Sequence, residues 1–204
     1  MLDKSAPTTH DIHPLLRSRW SPRAFTPAPI PPADVLRLLE AARWTPSAVN
    51  EQPWNFLVIS REDSEAFNLA LSCLAESNAV WAQHASLLIL SVARLRMTRD
   101  GSENPVALYD LGQAVAHLTV QAAAQNLWVH QMGGFSKERA REVFEIPEDH
   151  APVTFIAVGQ LGDPEALPER LRERELAPRE RKPLDTFVFG GHWGQSSPLL
   201  EPSK

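Results

Sequence analysis

Residues 46–60 read PSAVNEQPWNFLVIS, a polar turn closed between Pro46 and Pro53 and followed at once by an apolar run. Pro53 biases Gln52 toward extended backbone, so the turn should leave directly into a strand. From Trp54 to Ser60 apolar side chains fall on both alternating faces, Trp54, Phe56 and Val58 on one and Leu57 and Ile59 on the other. That pattern predicts a strand buried on both sides. Ser86–Ala93 reads as a second buried strand, and Leu127–Met132 and Val153–Gln160 as two more.

Helical patterns lie between them. Pro32–Trp44 has proline in its first turn, Asp34 placed to complement the dipole, and a stripe of Val35, Leu38, Leu39 and Ala42. Shorter helices are predicted over Ile12–Arg19, Ser64–Leu74, Ser77–Gln83 and Ser136–Phe144, the last with Ser136 as N-cap. Pro105–Asn126 is the longest, with Leu111, Val115, Leu118 and Ala122 on one stripe and small residues such as Ala116 and Ala123 elsewhere. Such a helix suits packing on more than one side, in a core or a dimer interface. Glu165–Leu176 reads as a charged helix, and its Arg/Glu run from Glu169 to Glu175 as a solvated face with i,i+4 pairs. Helices and strands mix without a regular βαβ rhythm, so the expected class is α+β. No linker or repeat divides the chain, so one domain over residues 1–204 is expected.

A 43% apolar fraction supports a substantial core, and a net charge of −5 argues against nucleic acid and against an anionic membrane surface. The longest apolar run, near Leu87–Leu90, is too short to span a bilayer, and Met1–His13 lacks the apolar core of a signal peptide. Cys73 is alone and cannot form an internal disulfide; it should be a packed thiol. A cytoplasmic protein is the expectation. The histidines show no metal-ligand spacing, so no metal is expected, and no GxGxxG is present to hold a dinucleotide. Prolines cluster near residues 22–32 and punctuate the end, which predicts extended arms, the last over about 184–204, placed to contact a partner subunit.

Two short stretches carry chemistry. In Arg19-Trp20-Ser21-Pro22-Arg23-Ala24-Phe25 an extended backbone would set Arg19, Ser21 and Arg23 on one face. Two guanidiniums around a hydroxyl suit phosphate and carbonyl oxygens; a solvated basic loop fits the same residues. In the 46–54 turn, Ser47, Asn50 and Gln52 are polar groups on a stiff loop at a strand edge, suited to a planar heterocycle. An ordinary Asn-containing turn into a core tryptophan fits these too.

The order RWSPRAF then PSAVNEQPW resembles the FMN-dependent nitroreductase family. Three later stretches are similar to the same family: NAVWAQHASLLILSVA from Asn78, MGGF at Met132–Phe135, and RERKPL at Arg179–Leu184. The resemblance implies a nitroreductase-like fold, a central mainly antiparallel sheet flanked by helices in an intertwined homodimer. It implies FMN as cofactor, NADH or NADPH as electron donor, and a nitroaromatic, quinone or related small acceptor reduced by ping-pong turnover. Cofactor-binding positions would be Arg19, Trp20, Ser21 and Arg23, with Arg19 and Ser21 on the phosphate and Arg179 and Arg181 closing over it. Arg23 would reach the ribityl chain or the pyrimidine edge, Asn78 that same edge, and the N–H groups of Gly133 and Gly134 would face N5 and O4. Ser47 and Asn50 would come from the partner subunit. No side chain would be catalytic, because the flavin carries the hydride. Some relatives place a lysine where Trp81 stands and an acidic residue where Gly133 stands, and Met97–Val106 is short for the region that covers the flavin. Relatives also include reductive dehalogenases, flavin-fragmenting enzymes and azoline dehydrogenases, and a non-enzymatic FMN-binding protein would share the binding motifs.

Overall fold

The structure, a computed structural model, describes residues 3–200. Its strands are β1 (Phe25–Thr26), β2 (Trp54–Ser60), β3 (Leu87–Arg94), β4 (Trp128–Met132) and β5 (His150–Leu161). Its α-helices are α1 (Pro14–Ser18), α2 (Pro32–Arg43), α3 (Ser64–Cys73), α4 (Glu76–Ala82), α5 (Ala107–Ala124), α6 (Lys137–Val143) and α7 (Glu169–Leu176). The class is α+β, and every strand pairing described is antiparallel.

β5 organises the sheet. It pairs with β3 from Val158↔Leu87 to His150↔Arg94, with β4 from Gly159↔Trp128 to Phe155↔Met132, and its last residues pair with β1. The β3–β5 register slips between Ser91 and Val92, where Val92 faces Pro152. Proline has no N–H for the ladder, so a bulge is a natural place for it. Ser91 rebinds the gap: its Oγ lies 2.9 Å from Thr154 Oγ1 and accepts from Thr154 N at 3.2 Å.

Period-two alternation sorts β3 into two cores. Leu88, Leu90 and Val92 join Phe155, Ala157 and Met132 under α3, α4 and α6, where Phe67, Ala70, Trp81 and Ala140 are buried. Leu87, Ile89 and Ala93 join Ile156, Val158 and Val129 under α2 and α5, against Leu38, Ala42, Leu111, Val115 and Leu118. Cys73 is buried, and burial pushes its thiol pKa up. Ser136 does cap α6, accepting from Arg139 N at 3.0 Å.

Three expectations change. Among the described residues β2 pairs with β3 alone, so it is an edge strand with Asn55 and Val58 exposed, not a strand buried on both faces. The charged C-terminal helix is split, because Pro164–Ala166 forms a 3₁₀ turn and Pro168 caps a separate α7. On α7 most of the charged run is solvated, but it has no i,i+4 ion pair among the described residues: Glu175 is fully buried, and Arg172 reaches back to Glu165 at 2.8 Å. β1, two residues long, was not foreseen. Among the described residues no helix is long and apolar enough to cross a membrane.

Candidate functional site

The chain leaves α1 at Arg19 in extended geometry (φ −62°, ψ 143°) and bends at Arg23 before β1. Trp20, Pro22 and Ala24 turn inward and are buried, so Arg19, Ser21 and Arg23 share the outer face. The Trp20 ring meets Trp128 edge-on at 5.8 Å, and its indole N–H has no partner among the described residues.

Arg179 and Arg181 come to this face from the far end of the chain. Arg179 Nη1 donates to the carbonyls of Lys4 (2.7 Å) and Arg17 (3.0 Å), while Lys4 Nζ donates to Ala177 O. Burial first, and then the neighbouring guanidiniums, lower the pKa values of Arg19 and Arg179; Arg181 is the charge that bears on both. Among the described residues none of these three arginines is in an ion pair. Like charges held close without an ion-paired carboxylate repel one another, and an oxyanion among them would relieve that repulsion. Arg179 and Arg181 also line a cavity of about 920 Å³ between residues 6–12 and 179–187.

Arg23 is held differently. Its N–H donates to both carboxylate oxygens of Glu175 (2.9 and 3.0 Å), Ala24 N donates to Oε1 (3.1 Å), and the guanidinium lies 3.9 Å from Oε2.

The structure joins Asn78 to Gly134. Asn78 Nδ2 and Ala75 N both donate to Gly134 O at 3.0 Å. A Cβ on Gly134 would stand 2.9 Å from Asn78 Nδ2, whereas one on Gly133 would meet nothing within 4 Å. Neither glycine's N–H has a partner among the described residues. The link to the arginine segment is aromatic. Trp81, one turn along α4 from Asn78, stacks on Phe25 at 6.2 Å and lies 4.5 Å from the His130 ring. His130 Nδ1 is 2.8 Å from Pro22 O, so Nδ1 carries the proton. Burial, partly opposed by that bond, lowers its pKa from 6.5 to about 4.

Ser47 and Asn50 sit on a loop held by other elements. Val49, Asn50 and Gln52 have φ of 47°, 58° and 50°. Left-handed backbone at non-glycine residues costs on the order of 1–3 kcal/mol each and persists only where surroundings enforce it. Here Ala48 N donates to the buried carboxylate of Asp110 on α5 (3.0 Å), and Gln52 N donates to Ser47 Oγ (3.0 Å). Glu51 Oε1 accepts from Arg94 Nη2 and Thr98 N, both at 2.6 Å. Asn50 is exposed. These anchors lie on α5, at the end of β3 and just beyond it.

Sequence reasoning missed Glu175, His130 and Asp110. Glu175 was hidden in a charge run. Asp110 carried a signal: it falls between Ala107 and Ala114 on the apolar stripe of α5, where an acid needs a buried donor.

The nitroreductase family model matches residues 16–160, and the chain belongs to that family. A 15.4 kDa uncharacterized protein of Mycolicibacterium smegmatis is 36% identical over 133 residues, 64% of this chain and 86% of that protein. "Putative NAD(P)H nitroreductase YdgI" of Bacillus subtilis is 26% identical over 192 residues, 76% of this chain and 90% of that protein. A solved structure described as an oxidoreductase containing FMN superposes with a TM-score of 0.89 at 35% identity, covering 96% of this chain and 100% of that one.

Proposed function

We propose that this chain is an FMN-dependent oxidoreductase that acts as a homodimer, with FMN bound across the interface. The observation that carries the reading is the cluster of Arg19, Arg179 and Arg181, none in an ion pair among the described residues, with Phe25, Trp81 and His130 joining the segment after Arg19 to the helix that carries Asn78. The donor set fits the cofactor: guanidiniums and the Ser21 hydroxyl for a phosphate, and two free glycine N–H groups at an open turn for ring acceptors. The relatives add the words FMN and NAD(P)H, each said of another protein.

Held by these residues, FMN would supply ping-pong hydride transfer between NADH or NADPH and a nitroaromatic, quinone or related small acceptor. The chain's own residues bind and orient. Arg19, Ser21, Arg179 and Arg181 hold the phosphate. Arg23 faces the ribityl chain or pyrimidine edge and offsets negative charge near N1. Asn78, its amide nitrogen committed to Gly134, presents Oδ1 to a ring N–H. Trp81 is a buried packing residue, so Arg23 does alone what a lysine there would share. Ser47 and Asn50 serve the partner's flavin. Support for a partner comes from the outer face of α5, where Leu108 and Tyr109 are exposed, and from exposed Val49 and Trp193.

Purified protein should be yellow or take up added FMN, and the bound flavin should bleach anaerobically on mixing with NADH or NADPH and recolour with a nitroaromatic. Absence of any flavin spectrum would sink the reading. Flavin that binds but is reduced too slowly for turnover would point to a storage protein.

A further inference from the structure

We infer that Glu175 is a positioning residue for the cofactor face formed by Arg19, Ser21 and Arg23, an inference that rests on the FMN reading. A buried carboxylate is costly unless it is paired and hydrogen-bonded. Glu175 meets that cost with three backbone contacts and one guanidinium, all from residues 23 and 24. Those two residues lie just before β1, which begins only at Phe25, so their N–H groups have no strand neighbour. The carboxylate takes the place of that neighbour. It fixes the backbone at the position where Arg23 must turn outward, and draws its guanidinium to one side.

The same side chain spans the two halves of the cation cluster. Glu175 is in the last turn of α7, and Arg179 and Arg181 follow that helix directly. Binding residues 23–24 therefore also sets where α7 delivers those arginines. Lys4 closes the arrangement, donating to Ala177 O while its own carbonyl accepts from Arg179. An apolar residue at 175 would fill the space but leave two buried N–H groups unpaired and Arg23 free to swing.

The test uses the full-length protein with Glu175→Gln, Glu175→Asp and Arg23→Gln, alone and with E175Q and R23Q combined. FMN affinity is read from quenching of flavin fluorescence well below each variant's Tm, and Tm is measured without FMN. E175Q should raise the Kd for FMN about tenfold, the effect of losing roughly one charge-assisted contact. E175D, which keeps the charge, should recover part of that loss. In the R23Q background E175Q should cost much less, because coupled residues are not additive. A lowered Tm with wild-type Kd for both E175Q and E175D, or independent effects of E175Q and R23Q on Kd, overturns the inference. Should E175Q fail to fold, E175D decides: raised Kd supports the role and unchanged Kd refutes it. A wild-type protein that binds no FMN sinks the functional reading and this one together, whereas normal wild-type binding with indifferent variants sinks this one alone.

Discussion

Asn78 and Gly134 are mutually dependent: the amide nitrogen donates to the glycine carbonyl at 3.0 Å and stands 2.9 Å from where a Cβ on that glycine would be. Gly134→Ala must therefore displace Asn78, while Gly133→Ala meets open space. G134A should weaken FMN binding about tenfold, one hydrogen bond's worth, and G133A should stay near wild type. Fluorescence titration of both variants checks this; equal effects would show that the two glycines are not distinguished by Asn78.

Replacing Arg19 and Arg181 together by alanine should raise the Kd for FMN by about a hundredfold or more, since hydrogen bonds to charged groups are worth roughly 1.5–3 kcal/mol each. Riboflavin, which has no phosphate, should bind both proteins alike. The Tm of the FMN-free protein should not fall, because the substitution removes like charges that have no carboxylate partner. Unchanged FMN affinity would remove the phosphate assignment.

Val49 is a β-branched residue with φ 47° and 70% exposure. Asparagine tolerates left-handed backbone far better than valine. Val49→Asn should stabilise the protein by about 1 kcal/mol, or roughly 2–4 °C in Tm for a chain of this size. A fall in Tm by differential scanning fluorimetry would mean that valine makes a contact this conformation serves.

His130 predicts acid sensitivity. Its folded pKa is lowered from 6.5 to about 4 by burial, so between those values the unfolded chain binds a proton that the folded one refuses. The stabilising contribution is complete above pH 6.5 and is lost as pH falls toward 4, up to about 3 kcal/mol in all. His130→Gln should flatten the dependence of Tm on pH in that window. An equally steep dependence in H130Q would assign it to other groups.

What could be read from the sequence followed from how local each cause is. β3 and α2 carry their periodicity within their own residues, so strand and helix were both legible. β2 was legible as a strand but not as an edge, because Trp54–Ser60 has an apolar pattern and only the absence of a second neighbour exposes Val58. The arginines at 19, 179 and 181 could be named by resemblance, and alternation set Arg19, Ser21 and Arg23 on one face, but it did not show that Trp20, named with them, would be buried. Glu175 was illegible for the opposite reason. Its role is set by two N–H groups 151 and 152 residues away, and nothing within α7 distinguishes it from Glu173.

The cation cluster is closed by Lys4 and Arg17 at one end of the chain and by Arg179 and Arg181 at the other. During synthesis Arg17 emerges 162 residues before Arg179, so the two sides of the cluster are made far apart in time. The proposed anion site thus cannot assemble until the segment after α7 has been made. On the FMN reading, a molecule cut within α7 would lack Arg179 and Arg181 and so lose phosphate contacts that the rest of the fold could not replace.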